Sequence, residues 1–196
     1  MSIARVPVWG WSTIALIIVA AVAWFVWQTW FDAYHLATVQ PGVLYRDGVR
    51  TLREFQTTVR IAKPHTIVCL VDDSEIGHSP FVDELAYCRQ NNIDVVRIPV
   101  MLGGWPQGDQ IRQFLSIATD PTRQPVLVHC AQGVRRTGMM IAAYQESILG
   151  YDPAKAKASM LTFGHSQRTV GDIERFIDVY DPIGKMMTRE FPRSAE

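Results

Sequence analysis

The residues best equipped for chemistry lie within one short stretch, 125–138: His129, Cys130, Gly133, Arg136, Thr137 and Gly138. Pro125 is followed by Val126, Leu127 and Val128, a short apolar, β-branched run that reads as a buried strand. Apolar residues recur from 139 to 149 and read as a helix. Between them lies a tight loop that Cys130 opens and Arg136 closes. A loop running into a helix N-terminus turns backbone N–H groups inward, and the helix dipole adds positive potential there. Together they form a cradle for a phosphate-sized dianion. Gly133 lets the backbone turn where a Cβ would clash, and the planar fork of Arg136 grips two phosphate oxygens. The same field favours the Cys130 thiolate, drawing its pKa below the free value of about 8.5. Thr137 can give its hydroxyl to the sulfur when it leaves, and His129 orients the loop through hydrogen bonds without acting as a base. A thiolate beneath a bound phosphate is a nucleophile aimed at phosphorus. The chemistry it suggests is phosphoryl transfer to sulfur, then hydrolysis. A lone cysteine would more simply be a small buried hydrophobe; here its companions stand at the offsets an oxyanion loop requires.

His-Cys-x5-Arg-Thr-Gly, here 129–138, resembles the signature of the cysteine-dependent protein tyrosine and dual-specificity phosphatases. The likeness is strongest to the small atypical plant-and-fungi type and its bacterial relatives, and continues more weakly from 43 to about 181. It implies a cysteine-phosphatase fold with Cys130 as nucleophile. Phosphate would be held by Arg136 and the backbone of Ala131, Gln132, Gly133, Val134, Arg135 and Arg136, with no metal and no cofactor. The family draws the acid that protonates the leaving group from an earlier loop, here 99–109, which reads Trp105-Pro106 without the Trp-Pro-Asp pattern. Asp109 is its one carboxylate and the provisional general acid. It is also read as a capping or dipole residue of the next helix, and Asp72 and Asp73 on the neighbouring loop are rivals. The family's first strand ends in Tyr-Arg or Phe-Arg, usually followed by Ser; here Asp47 follows Tyr45-Arg46. Arg46 is expected at the surface rather than on the site's rim.

The elements that must position this loop are legible in outline. A helix is expected over 52–62, with Thr51 and Glu54 at capping-box spacing. An apolar strand over 66–71 and a loop over 72–79 follow, then a helix over 80–90, a strand near 95–98 and a helix from 109 to about 118. Pro153 opens another helix and 172–180 a last one. The expected fold is α/β, a small mostly parallel sheet with helices on both faces. His165 reads as a loop histidine. Cys69, on the strand beside the catalytic one, is expected to be structural; a protective disulfide with Cys130 is the sharper alternative.

Between Val6 and Phe31 there is no charged residue, enough length for the ~20 residues of a membrane span. Trp9 and Trp11 stand near one end and Trp27 and Trp30 near the other, as in an interfacial belt. A cleaved signal peptide is the competing reading, because Ala21-Val22-Ala23 has the A-x-A form, but the apolar run continues past it. The organisation expected is therefore an anchor over 1–31, a connector over 32–42, a phosphatase domain over 43–182 and a polar tail over 183–196. Arg5 favours the N-terminus inside, whereas an oxidisable thiolate favours a reducing compartment, so neither face is assigned.

The 196 residues carry 19 basic and 19 acidic side chains, a balance that argues against a nucleic-acid partner. Three cysteines make no disulfide framework or metal-ligand pattern. The expected partners are a phosphorylated protein or lipid substrate and the membrane. Three alternatives remain: a phosphate-binding pseudophosphatase, a phosphoinositide or inositol phosphate phosphatase, and a sulfur- or arsenic-transfer enzyme.

Overall fold

Two apolar runs expected to be strands lie side by side at the centre of one sheet. The structure is a computed structural model that describes residues 8–31 and 33–182. In chain order the strands are β1 (Ala37–Gln40), β2 (Leu44–Gly48), β3 (Thr66–Cys69), β4 (Asp94–Arg97) and β5 (Val126–Cys130). Their order across the sheet is β1-β2-β5-β3-β4, with β1 antiparallel to β2 and the other pairs parallel. The helices are α1 (Val8–Phe31), α2 (Leu52–Ala62), α3 (Phe81–Gln90), α4 (Gly108–Ala118), α5 (Arg135–Ser147), α6 (Pro153–Ala158) and α7 (Gln167–Val179).

Strand alternation gives each face of the sheet its own core. Leu44, Val68, Val126 and Val128 join Phe114 of α4, Met139 of α5 and Phe176 of α7 on one face. Ile67, Cys69 and Leu127 join Phe55 of α2 and Phe81 of α3 on the other. Each fully buried side chain of this kind stabilises the fold by roughly 1.5–3 kcal/mol. The alternation also decides the cysteine question. Cys69 pairs across the strands with His129, so it shares that residue's face, whereas Cys130 belongs to the opposite core. The disulfide considered between them is therefore not supported, and both are free thiols.

Three expectations need correction. The connector over 32–42 contains β1, whose four residues are too short and too mixed in polarity to announce a strand. β1 is held by the turn at Gly42, which has φ +72°, and by Tyr144 of α5, whose hydroxyl donates to Gln40 Oε1 at 2.6 Å. Helix α5 begins at Arg135, four residues before its apolar periodicity does, because the end of the loop that Cys130 opens is already helical. Helix α7 begins at Gln167, with the Ser166 hydroxyl capping it through the Thr169 N–H.

The chain divides into two units, the first ending at residue 32. Helix α1 is 24 residues long, and its described side chains, 13–24, are all exposed. That described stretch is shorter than a span, and among the described residues no helix is long and apolar enough to cross a membrane. The expected polar tail, residues 183–196, lies outside the described residues.

Candidate active site

In a parallel sheet the loops at the C-terminal strand ends gather on one edge, where ligands bind. Here the loops after β5, β3 and β4 do so around a cleft of about 1260 Å³. Cys130, Ala131, Gln132, Arg135 and Arg136 line it, so the structure brings these expected residues together.

Cys130 ends β5 and is buried, and its Sγ accepts the Gly133 N–H at 3.2 Å. Burial acts to raise its thiol pKa. Arg136, the Thr137 hydroxyl and the N–H groups of Thr137 and Gly133 act against burial and hold the thiol below its ordinary value. Thr137 is fully buried, and its hydroxyl is one of the groups that favour the Cys130 thiolate. Gly133 has φ +67°, and a Cβ there would lie 2.6 Å from Gly48 N, so a side chain is excluded on two counts. Val134 caps α5 without a side-chain acceptor, and its own side chain is buried in the core.

Arg136 is held from three sides. Its Nη1 donates to Glu75 Oε2 at 2.6 Å and reaches the carbonyls of Val100 and Leu70, while Nη2 donates to Glu75 Oε1 at 3.2 Å. Burial opposes its charge, but Glu75 and the Cys130 thiolate more than restore it. The Arg135 side chain turns along the rim. It donates to the Gly103 and Gly104 carbonyls at 2.6 and 2.9 Å and pairs with Asp172 of α7.

His129 faces away from the cleft, wholly buried, with Nε2 2.8 Å from Glu84 Oε1. Burial works against its charge, yet Glu84 and Cys69 lift its pKa well above the ordinary value. Cys69, Glu84 and His129 are all buried and bring one donor atom each to within 4.8 Å of the others. The trio fits a metal ion poorly. Two ligands of a tetrahedral cation with ~2.0–2.1 Å bonds stand about 3.3 Å apart, whereas His129 and Glu84 meet directly at 2.8 Å. The arrangement suits an ion pair beside a thiol.

The acid expected from 99–109 is not brought to the cleft. Asp109 lies exposed in the first turn of α4 and does not line it. Asp73 pairs with Arg97 at 2.8 Å. Asp72 accepts from Ser74 and from Leu102 N–H, and these hydrogen bonds hold its pKa down. Among the described residues the carboxylates lining the cleft are Glu75 and Asp172. Asp172 also accepts from Trp105 Nε1 and Arg175; burial pushes its pKa up, but these donors and Arg135 bring it below the ordinary range.

Sequence reasoning missed the rim. Glu75, Asp172, Arg168 and Arg175 line the cleft from a loop and a helix distant in sequence. A usable signal existed in α7, where positions 168, 172 and 175 have the spacing of one helical face. It also misplaced Arg46, which is buried rather than at the surface. His165 does lie outside the cleft lining, edge-on to His35 at 5.5 Å.

With this geometry in view, the comparisons with known proteins agree. The family described as "DSP-PTPase phosphatase fused to NAD+ Kinase" matches residues 66–175, more than half of the chain. A probable chloroplastic NAD kinase 2 of Oryza sativa subsp. japonica is 30% identical over 56 residues, which is 29% of this chain and 6% of that protein. The dual specificity protein phosphatase OPG106 of Vaccinia virus (strain Copenhagen) is 34% identical over 87 residues, 42% of this chain and 47% of that one. The chain thus spans less than half the length of these relatives. Among solved structures, the core catalytic domain of PP-IP phosphatase SIW14 from S. cerevisiae superposes with a TM-score of 0.62 at 19% identity, covering 76% of this chain and 87% of that one. TpbA of P. aeruginosa gives 0.56 at 22% identity, covering 78% and 91%. The chain therefore belongs to the DSP-PTPase phosphatase family fused elsewhere to NAD+ kinase, a family of protein-tyrosine-phosphatase-like hydrolases.

Proposed function

We propose that this domain hydrolyses phosphate monoesters through a cysteinyl-phosphate intermediate. The observation that carries the reading is a buried Cys130 whose thiol is held below its ordinary pKa at the floor of an arginine-bearing cleft. The Cys130 thiolate attacks phosphorus while the P–O bond to the leaving group breaks. Arg136 and the N–H groups of residues 131–136 take the charge spread over the phosphoryl oxygens. Water then attacks phosphorus, the P–S bond breaks, and the Thr137 hydroxyl steadies the returning thiolate. Activity should rise as pH climbs through the lowered thiol pKa, because the thiolate is the reactive form. Acid quench during turnover, followed by mass spectrometry, should find phosphate on Cys130. A persulfide there instead would favour sulfur transfer, and phosphate binding without any adduct or turnover would favour a recruiting pseudophosphatase.

A second reading of the substrate has its own support. Arg168 and Arg175 place further positive charge on the cleft wall, and the two lining carboxylates are committed to arginines rather than free to donate a proton. A substrate with a second phosphate suits such a wall, and a phosphoanhydride leaving group departs without needing a proton. SIW14, whose fold this domain shares, is described as a PP-IP phosphatase. Competition between a phosphotyrosine peptide and an inositol pyrophosphate, in wild type and Arg168→Ala, separates the two. Weaker inositol binding with unchanged peptide turnover in the variant supports the polyphosphate reading.

The proposal extends to a membrane-held enzyme. Helix α1 contains no charged residue over 24 positions, and its apolar side chains from Ile14 to Trp24 are exposed. Exposed apolar surface of this size marks an interaction site. The full-length chain should float with phosphatidylcholine vesicles and resist extraction by alkaline carbonate; release into the carbonate supernatant would sink the anchor.

A further inference from the structure

We infer that Arg46 is a positioning residue of the phosphate loop: a buried cation that pins the Gly133 carbonyl from beneath and so aims the loop's N–H groups at the anion. The inference rests on the loop being the phosphate site. The end of β2 is the platform on which that loop sits. Gly48 stands in register with Cys130, and a Cβ on Gly48 would lie 2.6 Å from the Gln132 carbonyl oxygen. From this platform Arg46, 2% exposed, donates through Nη2 to the Gly133 carbonyl at 2.6 Å. The Phe163 ring covers it, with Cζ 5.4 Å from the ring centroid.

The peptide plane carries the consequence. In a trans peptide the C=O and the next N–H point opposite ways, so a Gly133 carbonyl drawn down to Arg46 turns the Val134 N–H up into the cradle. The preceding peptide follows the same rule and can be checked. His35 Nδ1 holds the Gln132 carbonyl at 2.8 Å from outside, and the Gly133 N–H of that peptide does point inward, to Cys130 Sγ at 3.2 Å.

Electrostatics add a second reason. A buried guanidinium is costly unless paired, and among the described residues no carboxylate pairs with Arg46. Asp47 pairs across the strands with His129 and belongs to the other face. Burial pushes the Arg46 pKa down to about 10, and the charge acting to raise it is the Cys130 thiolate. The cation therefore stays charged at neutral pH, and the anion that balances it is the thiolate or a phosphate above it.

Full-length Arg46→Gln and Arg46→Lys test this. Two measurements need no turnover: the pH dependence of Cys130 alkylation by iodoacetamide, and protection from it by inorganic phosphate. In Arg46→Gln the alkylation midpoint should rise by about one pH unit and phosphate affinity should fall about 10-fold. Arg46→Lys should keep most of the midpoint and lose a few-fold in affinity, since the charge remains and the fork does not. A merely structural arginine would lower the melting temperature and move neither readout, and that result in a folded Arg46→Gln overturns the inference. Should Arg46→Gln not fold, Arg46→Lys decides, and unchanged phosphate affinity overturns it. A wild type that binds phosphate and has a low alkylation midpoint but no turnover refutes the phosphatase and leaves Arg46 standing. One with an ordinary midpoint and no protection refutes both.

Discussion

Beneath Cys130 the polar groups are buried and answered from different elements: Arg46 of β2 holds Gly133, and Glu84 of α3 meets His129. Around the mouth of the same cleft the groups are partly exposed and answer one another. Glu75 reaches down to the buried Arg136 of the floor, Asp172 occupies Arg135 and Arg175, and Arg135 in turn ties down Gly103 and Gly104. The floor suits any phosphoryl group because it is built from backbone and fixed charge. The rim must choose the substrate and deal with its leaving group, and its carboxylates are already engaged. On the proposed function, binding of phosphate and release of the leaving group are therefore separable properties.

Breaking the floor should cost most. Arg136→Lys keeps the charge but loses the two-pronged grip, and kcat/KM should fall about 10³-fold with the fold intact on a thermal melt. A loss below tenfold would mean that the backbone alone holds the phosphate. The rim is sharpened by a series of aryl phosphates. Without a free proton donor, kcat/KM should drop by about 10²-fold from the most acidic phenol leaving group to the least. A flat series would reveal an acid that reaches the cleft when substrate binds. Asp47, buried below the loop, gives the smallest effect. Burial raises its carboxyl to about 7, above the ordinary 3.8. The folded state thus keeps a proton that the unfolded chain gives up, and stability falls as pH rises from about 4 to 7. Asp47→Asn should melt a few degrees higher than wild type at pH 8, and the gain should shrink at pH 5.

The difference between floor and rim also sets what could be read from the sequence. The loop over 129–138 was legible because its chemistry-bearing residues are contiguous in the sequence. The central strands and α2 were legible from apolar runs and the Thr51 cap. The rim was not, because Glu75, Asp172, Arg168 and Arg175 become neighbours only through tertiary folding. Arg46 illustrates the limit from the other side. A single arginine on a short strand reads as solvent-exposed, and its burial depends on a glycine carbonyl 87 positions away. Asp109 was chosen by its place in the chain, and it stands exposed in the first turn of α4 without lining the cleft.

The most direct test of the central claim is turnover of an activated aryl phosphate by the full-length chain under reducing conditions, beside Cys130→Ser and Asp109→Asn. The account predicts turnover by wild type, loss of at least about 10⁴-fold in Cys130→Ser, and activity within about twofold of wild type in Asp109→Asn, whose carboxylate is exposed outside the cleft. Turnover that survives in Cys130→Ser would contradict the account, because another group would then be attacking phosphorus.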